Sequence, residues 1–243
     1  SLTSINDPGG SNIAGLDAGT GQYIRGLFNL ENLSTDEVIW TYENDPGLRG
    51  MQRNTWSSDN PLILGVFARA SYEIALANEF LRQTTSDKLS SRGVSGTLAE
   101  DIQVYRAEVR VLRALANYHL LDMFGKAPFV TENDAVGFDQ VPEIVGADLF
   151  TYIETELTEA LPDLVAARQN EYARVNKGVA NMLLAKLYLN AEVYTGTARY
   201  TDCVTVCETL IGYGYSLTPN YLFNFMADND SNGAQNEIIF PIT

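Results

Sequence analysis

The chain has 243 residues, which is enough for one large domain or two small ones. Hydrophobic residues make up 45% of it, the usual share for a globular protein, and no apolar run reaches the roughly 18 residues that a membrane span needs. The formal net charge of -15 produces a surface that repels phosphate backbones and anionic lipid headgroups. The composition therefore argues against nucleic acid and direct membrane docking as partners, and it is compatible with a neutral ligand.

Two helices are predicted in the first third of the chain. Behind an irregular start over residues 1–15, the segment GTGQYIRGLFNL carries the first helix over residues 22–30. A segment punctuated by Gly and Pro follows. Asn60 then forms the predicted N-cap of a second helix, with Pro61 as its first residue. The buried face of that second helix is predicted to hold Ile63, Phe67, Ala70, Ile74, Ala77 and Leu81.

The third predicted helix is apolar on most of its circumference. The motif TLAE at residues 97–100 predicts a capping box at its start, and Gly125 ends it. Its polar residues form one narrow stripe, which we expect to face solvent or to pair with nearby acids. Because a surface helix needs only one apolar stripe, this helix is predicted to lie in the middle of a helical stack. The members of the polar stripe are Arg106, Arg110, Arg113 and Asn117.

The second half of the chain predicts paired helices. An extended stretch containing Pro128 precedes a helix whose buried face holds Leu149, Ile153, Leu157 and Leu161. An Ala-rich helix capped by Asn176 follows, and its inner residues are Ala180, Leu183, Leu184, Leu187 and Tyr188. A turn at Tyr200 and a partner helix come next, then a short helix behind Thr218 and Pro219, and last the strand-like NEIIFPIT.

The order of Ala-rich helix, turn and second helix is similar to a tetratricopeptide helix pair. Small residues such as Ala180, Ala185 and Ala191 allow paired helices to approach closely. We therefore predict a mostly α fold of stacked tetratricopeptide-like helix pairs, with long irregular loops and a few short strands, as a single domain over residues 1–243.

The sequence contains no pattern typical of catalysis or of a cofactor. GLDAGTGQ fits neither a P-loop nor a dinucleotide-binding loop, and the only histidine, His119, is predicted to be a packed helix residue. Cys203 and Cys207 share one helix face and are interpreted as small core residues, because this spacing suits neither a disulfide nor a complete metal site. The stretch DNDSNG at residues 228–233 is similar to the front of a calcium loop, but Ile239 stands where that loop has a bidentate Glu. A polar turn is favoured there, and a weak calcium site stays open.

Residues 40–56, which we call the aromatic segment, hold both tryptophans of the chain among polar residues. Aromatic rings stack on the C–H faces of sugars, while amide, carboxylate and guanidinium groups hydrogen-bond sugar hydroxyls. Trp56 directly precedes a capped helix and is interpreted as a core residue, whereas the position of Trp40 stays open between core and surface. The candidate ligand-binding residues are Trp40, Tyr42, Asn44, Asp45, Arg49 and Arg53.

The sequence resembles the SusD/RagB family of outer-membrane nutrient-binding lipoproteins of Bacteroidetes. The resemblance rests on five motifs, which follow one another along the chain in the family's order: NLSTDEVIW, NTWSSDNPLILGVFARASYEIALANEFL, AEVRVLRALANYHLLDMFGKAPFVT, the helix pair that begins NKGVANMLLAKLYLNAEVY, and NEIIFPIT. It implies capture of an oligosaccharide at the cell surface, without catalysis or cofactor, and delivery to a SusC-type TonB-dependent transporter. It also implies a membrane attachment only through a lipid anchor.

The chain departs from the resemblance in two respects. Proteins of this family are about twice as long, and the lipid-bearing cysteine near their start is absent here, so we expect an N-terminal part of a longer protein. Two alternatives to glycan binding stay open: a helical scaffold that docks the transporter without binding sugar, and a hydrolase that uses a pair of the many carboxylates.

Overall fold

The structure, a computed structural model, describes residues 21–137 and 141–242, and these residues are mostly helical. The predicted irregular start, residues 1–15, lies outside the described part. The predicted fold class is confirmed. The α-helices are α1 Tyr23–Asn32, α2 Leu48–Gln52, α3 Pro61–Gln83, α4 Ser86–Ser91, α5 Thr97–Phe124, α6 Gly146–Ala160, α7 Lys177–Leu189, α8 Ala191–Thr195 and α9 Tyr200–Gly212. The strands are β1 Lys126–Pro128 and β2 Glu143–Val145, and the 3₁₀ turns are Leu161–Asp163, Tyr221–Phe225 and Ala234–Asn236.

The described residues form two compact units. Unit 1 comprises the residues up to Ile74 together with Ile242, and unit 2 comprises Ala75–Pro241. The predicted buried face of α3 is largely confirmed, since Ala70, Ile74, Ala77 and Leu81 are buried. The interpretation of residues 1–243 as a single domain stays a prediction.

Unit 1 has a small apolar core beneath α2. Leu33, Leu48, Met51 and Leu62 are buried together, and Trp40 packs against them as a partly buried neighbour. Helices α1 and α3 approach closely at Gly26, where an added Cβ would lie 2.7 Å from Val66 Cγ2. A larger side chain at residue 26 would therefore push the two helices apart.

In unit 2, α5 lies among other elements as the sequence predicts for a middle helix. It packs along α6, contacts α7 and touches β1. Its buried residues lie on several sides of the helix: Ala107, Val111, Arg113, Ala114, Ala116, Asn117, Tyr118, Leu120 and Leu121. Helix α5 therefore packs against other elements on more than one side. Because several of its sides are buried, it lacks the single apolar stripe of a surface helix.

Two of the three arginines in the α5 stripe, Arg110 and Arg113, pair with acids, as one of the two predicted alternatives has it. Arg113 is only 2% exposed, so the alternative of a solvent-facing side chain is wrong for this residue. Its guanidinium binds Glu156 through Nε at 2.9 Å and Nη2 at 2.6 Å, and Nη1 binds Glu132 at 2.5 Å. Arg110 also binds Glu156, at 2.8 Å, whereas Arg106 donates to the carbonyl of Leu81 at 2.8 Å. Burial of these charges is compensated by this network of charged hydrogen bonds.

Helices α7 and α9 form the predicted helix pair. The predicted inner residues of α7 are all buried, and Asn176 caps the helix by accepting a hydrogen bond from the Gly178 N–H at 2.8 Å. On α9, Cys203 contacts the α7 carbonyl of Ala185 through Sγ at 3.4 Å. The turn is fastened by the Tyr200 hydroxyl, which donates to Glu192 at 2.7 Å. The pairing buries the Ala-rich face of α7.

The capping box predicted for TLAE is wrong. Gly96 occupies the N-cap position with φ +62°, and no side chain caps α5. The carbonyl of Gly96 accepts hydrogen bonds from Ala99 at 2.9 Å and Glu100 at 3.2 Å, so the helix begins one residue before the box requires. Thr97 is therefore already inside the first turn, and its side chain has no N-cap role.

The strand predicted for NEIIFPIT is also wrong within the described residues, which end at 242. Its first residue, Asn236, ends the 3₁₀ turn Ala234–Asn236, and residues 237–242 continue as irregular backbone. The short helix predicted behind Thr218 and Pro219 is a 3₁₀ turn, Tyr221–Phe225. The described sheet consists of β1 and β2, antiparallel, with Ala127 opposite Ile144. None of the described helices combines the length and apolar character that a membrane crossing requires.

Candidate functional site

The aromatic segment is fixed to unit 1 by a turn and by α2. The turn closes where the Asp45 N–H donates to the Tyr42 carbonyl at 3.1 Å. Gly47 then takes φ +83°, a conformation that favours glycine, and α2 starts at the buried Leu48. The buried Met51, one helical turn later, anchors the same face of α2 in the core. These anchors leave the polar residues of the segment on the surface.

The side chain of Asn60 connects the aromatic segment to α3 through two hydrogen bonds. Its Oδ1 accepts the N–H of Leu62 at 2.9 Å, which confirms the predicted N-cap role. Its Nδ2 donates to the carbonyl of Gly47 at 3.0 Å. One buried amide therefore caps a helix and fastens the base of the aromatic segment.

Asn60→Ala is expected to lower the free energy of unfolding by about 1–2 kcal/mol, because it removes a helix cap and leaves a backbone carbonyl without its donor. Urea denaturation followed by circular dichroism measures this change. Ser58→Ala, an exposed change in the same segment, serves as the matched control and should stay within about 0.5 kcal/mol of the parent. Equal stability of the two variants would contradict this role of the Asn60 side chain.

Trp40 lies between the core and the surface. Its ring packs against the buried cluster of unit 1, and the guanidinium carbon of Arg25 lies 5.1 Å from the ring centroid. The Tyr42 ring meets it edge-to-face, with 6.5 Å between centroids. Its indole N–H is buried and has no hydrogen-bond partner among the described residues. Trp40 therefore supports the neighbouring aromatic ring from the core side.

Tyr42 is the most accessible aromatic residue of the segment. Its side chain is 72% exposed, so a ligand can reach the ring. Asn44 beside it is exposed, and Asp45 is partly buried with its Oδ2 3.9 Å from Arg25 Nη2. The structure brings an open aromatic ring next to an amide and a carboxylate, the groups that hydrogen-bond sugar hydroxyls.

Arg49 and Arg53 converge on a carboxylate that the sequence reasoning missed. Glu43 Oε2 lies 3.3 Å from Arg49 Nε and 2.8 Å from Arg53 Nη2. All three side chains are exposed to a large degree, and both guanidinium groups keep donors for further hydrogen bonds. The spacing of Glu43 and the two arginines in the sequence gives no sign of this pairing, because it depends on the path of the turn.

The interpretation of Trp56 as a core residue is wrong. The chain passes over the surface between α2 and the cap of α3, and Trp56 is 44% exposed there. Its backbone lies against Gly50, where an added Cβ would be 3.6 Å from the Trp56 Cα. Trp56 is therefore a second accessible aromatic ring in the aromatic segment.

Other sequence candidates lie elsewhere. Cys203 and Cys207 are free cysteines and both are only partly buried, so they lie at the edge of the core and not within it as their interpretation as core residues implies. Within residues 21–137 and 141–242, no group of three or more His, Cys, Asp or Glu side chains is placed to hold a metal ion. In the turn at residues 228–233, the Ser231 N–H donates to the Asp228 carbonyl at 2.9 Å.

The fold and this surface define a class: a mostly α protein with tetratricopeptide-like pairs and an exposed aromatic segment. No protein-family model matches the chain. A relative from Bacteroides thetaiotaomicron, the starch-binding protein SusD, is 38% identical over 235 residues, which is 96% of this chain and 40% of the relative. The chain thus spans two fifths of the length of that relative.

Solved structures give the same result for the fold. A SusD homolog from Bacteroides thetaiotaomicron superposes with a TM-score of 0.70 at 23% identity, covering 84% of this chain and 40% of that one. A laminarin-binding SusD-like protein superposes with a TM-score of 0.63 at 23% identity, covering 79% of this chain and 40% of that one. The resemblance found in the sequence is confirmed, and the chain is SusD-like in sequence and in fold.

Proposed function

We propose that this chain captures an oligosaccharide through the aromatic segment, as a non-enzymatic part of a cell-surface lipoprotein of the outer membrane. The captured glycan passes to a SusC-type TonB-dependent transporter. The observation that carries this proposal is the 38% identity to a starch-binding protein over nearly the whole chain. It makes an α-glucan the first ligand to test.

The geometry of the aromatic segment supports the same role. Tyr42 offers an open ring, and Trp40 backs it from the core at 6.5 Å between centroids. The same segment carries groups that hydrogen-bond hydroxyls: the amide of Asn44, the carboxylate of Asp45 and the guanidinium groups of Arg49 and Arg53. An open surface with few fixed contacts favours a long chain that is held weakly at several points over a single buried sugar.

Tyr42→Ala is expected to weaken binding of a linear maltooligosaccharide by about tenfold. The loss of one aromatic stacking contact is worth roughly 1–1.5 kcal/mol, and 1.4 kcal/mol is a factor of ten. Isothermal titration calorimetry measures the change. Tyr42 suits this test better than Trp40, since Trp40 also packs in the core and its removal would destabilise unit 1.

Tyr72→Ala is the matched control for that experiment. Tyr72 is an exposed tyrosine on α3 outside the aromatic segment, so its loss should leave the affinity unchanged. A Tyr42→Ala variant that binds as tightly as the parent would remove the aromatic segment from the site.

A second candidate function, a scaffold that docks the transporter without binding sugar, is favoured by a different observation. The 3₁₀ turn Tyr221–Phe225 and the residue after it expose an apolar surface made of Tyr221, Leu222, Phe225 and Met226. Such surfaces are typical of protein contacts. The scaffold role would be supported over the glycan-binding role if the chain co-purifies with a TonB-dependent transporter and shows no measurable binding to any glycan of a test panel.

A further inference from the structure

Unit 2 contains a groove that the proposed function does not use. Its volume is about 210 Å³. It lies between the loop of residues 168–176 and the stretch of residues 235–241, and Tyr215 also lines it. Ligand pockets for drug-sized molecules measure roughly 300–1,000 Å³, so this groove suits a smaller molecule. All of its lining residues belong to unit 2.

The walls of the groove are fixed before any ligand arrives. Arg168 joins them, because its guanidinium donates to the Gly214 carbonyl and, through Nη2, to Asn236 Oδ1 at 2.9 Å. Asn170 and Arg174 fasten the loop to α5 through the carboxylate of Glu108, each at 2.8 Å from Oε1. A loop tied at these points loses little entropy when it binds a ligand.

The backbone of the loop is strained at its first residue, Arg168, and at Ala173. Arg168 has φ +63° and Ala173 has φ +64°, in the left-handed region that side chains with a Cβ rarely adopt. Such conformations cost of order 1–3 kcal/mol each and persist where the surrounding structure enforces them. Here the strain holds the residues between them, including Tyr172, at the edge of the groove.

Several hydrogen-bonding groups on the lining are unused within the described part of the chain. Asn176 is only 7% exposed, and its Oδ1 is taken by the cap of α7, but its Nδ2 donates to no partner there. Gln235 accepts the Gly233 N–H at 2.7 Å through Oε1, which leaves its amide nitrogen unused. The Tyr215 hydroxyl is buried without a partner, and Tyr172 stands 45% exposed at the rim. The Tyr215 hydroxyl is the one of these groups that is shielded from solvent, and a buried polar atom without a partner costs free energy unless a ligand or water bonds to it.

We propose that this groove binds one ring of a neutral sugar. The ring would stack on Tyr172, and its hydroxyl groups would accept from Asn176 Nδ2 and the Gln235 amide and donate to the Glu171 carboxylate. A neutral ligand is favoured because the charges at the groove already balance. Two arginines, Arg168 and Arg174, are matched by two carboxylates, Glu108 at 2.8 Å and Glu171 at 3.7 Å from Arg174. The strongly acidic chain would also repel an anionic sugar.

The residues of this groove belong to unit 2, whereas the aromatic segment belongs to unit 1, so the two proposed sites share no residue. A monosaccharide is a suitable probe of the groove, because the groove holds only a small molecule. The two proposals are therefore tested by different ligands and different variants.

The test is an NMR titration of the whole chain with glucose, galactose, mannose and xylose, with glucuronate as the charged comparison. The expected result is a saturable shift of the backbone amides of Ala173 and Gln235 with at least one neutral sugar. Tyr172→Ala should raise the dissociation constant about tenfold, as the loss of one stacking contact predicts. Asn176→Asp keeps the helix cap but replaces the donor by an acceptor, and it should weaken binding to a similar degree.

Two controls make the outcome decisive. Tyr200→Ala removes another exposed tyrosine of unit 2 and should leave the titration unchanged, and Tyr42→Ala should do the same because it alters only the aromatic segment. The proposal is overturned if none of the four neutral sugars shifts these amides. It is equally overturned if both groove variants bind like the parent, or if glucuronate binds more tightly than every neutral sugar.

Discussion

Arg113→Met is expected to lower the free energy of unfolding by about 3–5 kcal/mol, the cost of breaking one half of a buried ion pair. The side chain is 2% exposed and supplies hydrogen bonds to Glu156, to Glu132 and, at 2.6 Å, to Asn78 Oδ1. Methionine fills much of the same space, so the loss comes from the carboxylates of Glu132 and Glu156, which keep their charge but lose the hydrogen bonds from Arg113. Denaturation in urea, followed by circular dichroism, measures it.

A double variant separates the charge effect from a packing effect. Arg113→Met combined with Glu156→Met replaces the buried pair by apolar side chains, and it should be less destabilised than the sum of the two single variants. Lys126→Met is the matched control, because Lys126 pairs with Glu143 at 2.9 Å on the surface. That change should cost less than about 1 kcal/mol. If Arg113→Met and Lys126→Met lower the free energy of unfolding by the same amount, the buried network stabilises the protein no more than a surface ion pair does.

The helices could be predicted because their signals are local. The inner face of α7 can be predicted from the spacing of apolar residues within its 13 positions. The start of α7 can be predicted from Asn176, whose side chain accepts a hydrogen bond from the N–H of Gly178, two residues later. The cap at Asn60 has the same origin. In each case, the residues that decide the structure are neighbours in the sequence.

The failures have causes that the sequence does not contain. Arg113 finds its main partner 43 residues further along the chain, so its burial could not be read from the helix pattern. NEIIFPIT has the composition of a strand, but a strand also needs a partner beside it, and the described residues 236–242 have none. The TLAE box failed because the glycine before it adopts a positive φ and starts the helix early.

The sequence indicates which segment carries the candidate site, but it does not indicate the side-chain contacts within that segment. The mixture of aromatic and polar residues marked residues 40–56, and the structure places Tyr42 on the surface as that mixture indicates. The convergence of Arg49 and Arg53 on Glu43 and the exposure of Trp56 depend on how the turn and α2 direct the side chains. The assignment of the six residues to a ligand site stays a prediction until variants are measured.

His119 makes the stability of this protein depend on pH. The pKa of the imidazole is lowered from 6.5 to about 4, chiefly by burial and secondly by the positive charge of Lys186, while the carboxylate of Asp122 opposes both. In the unfolded chain the imidazole takes up its proton near pH 6.5, so between that pH and about 4 the unfolded state binds more protons than the folded state. The stabilisation is therefore complete above pH 6.5 and is lost as the pH falls towards 4.

We expect the free energy of unfolding to fall by about 2 kcal/mol between pH 7 and pH 5 because of this one group. His119→Gln, which stays uncharged, should abolish that part of the slope. Lys186→Met, which removes an exposed positive charge, should make the slope shallower by letting the pKa of His119 rise. Urea denaturation at pH 5, 6 and 7 compares the three proteins, and this range lies above the ordinary pKa values of the carboxylates. If His119→Gln loses stability as steeply as the parent, the pH dependence arises from other groups and the imidazole is not held neutral by burial.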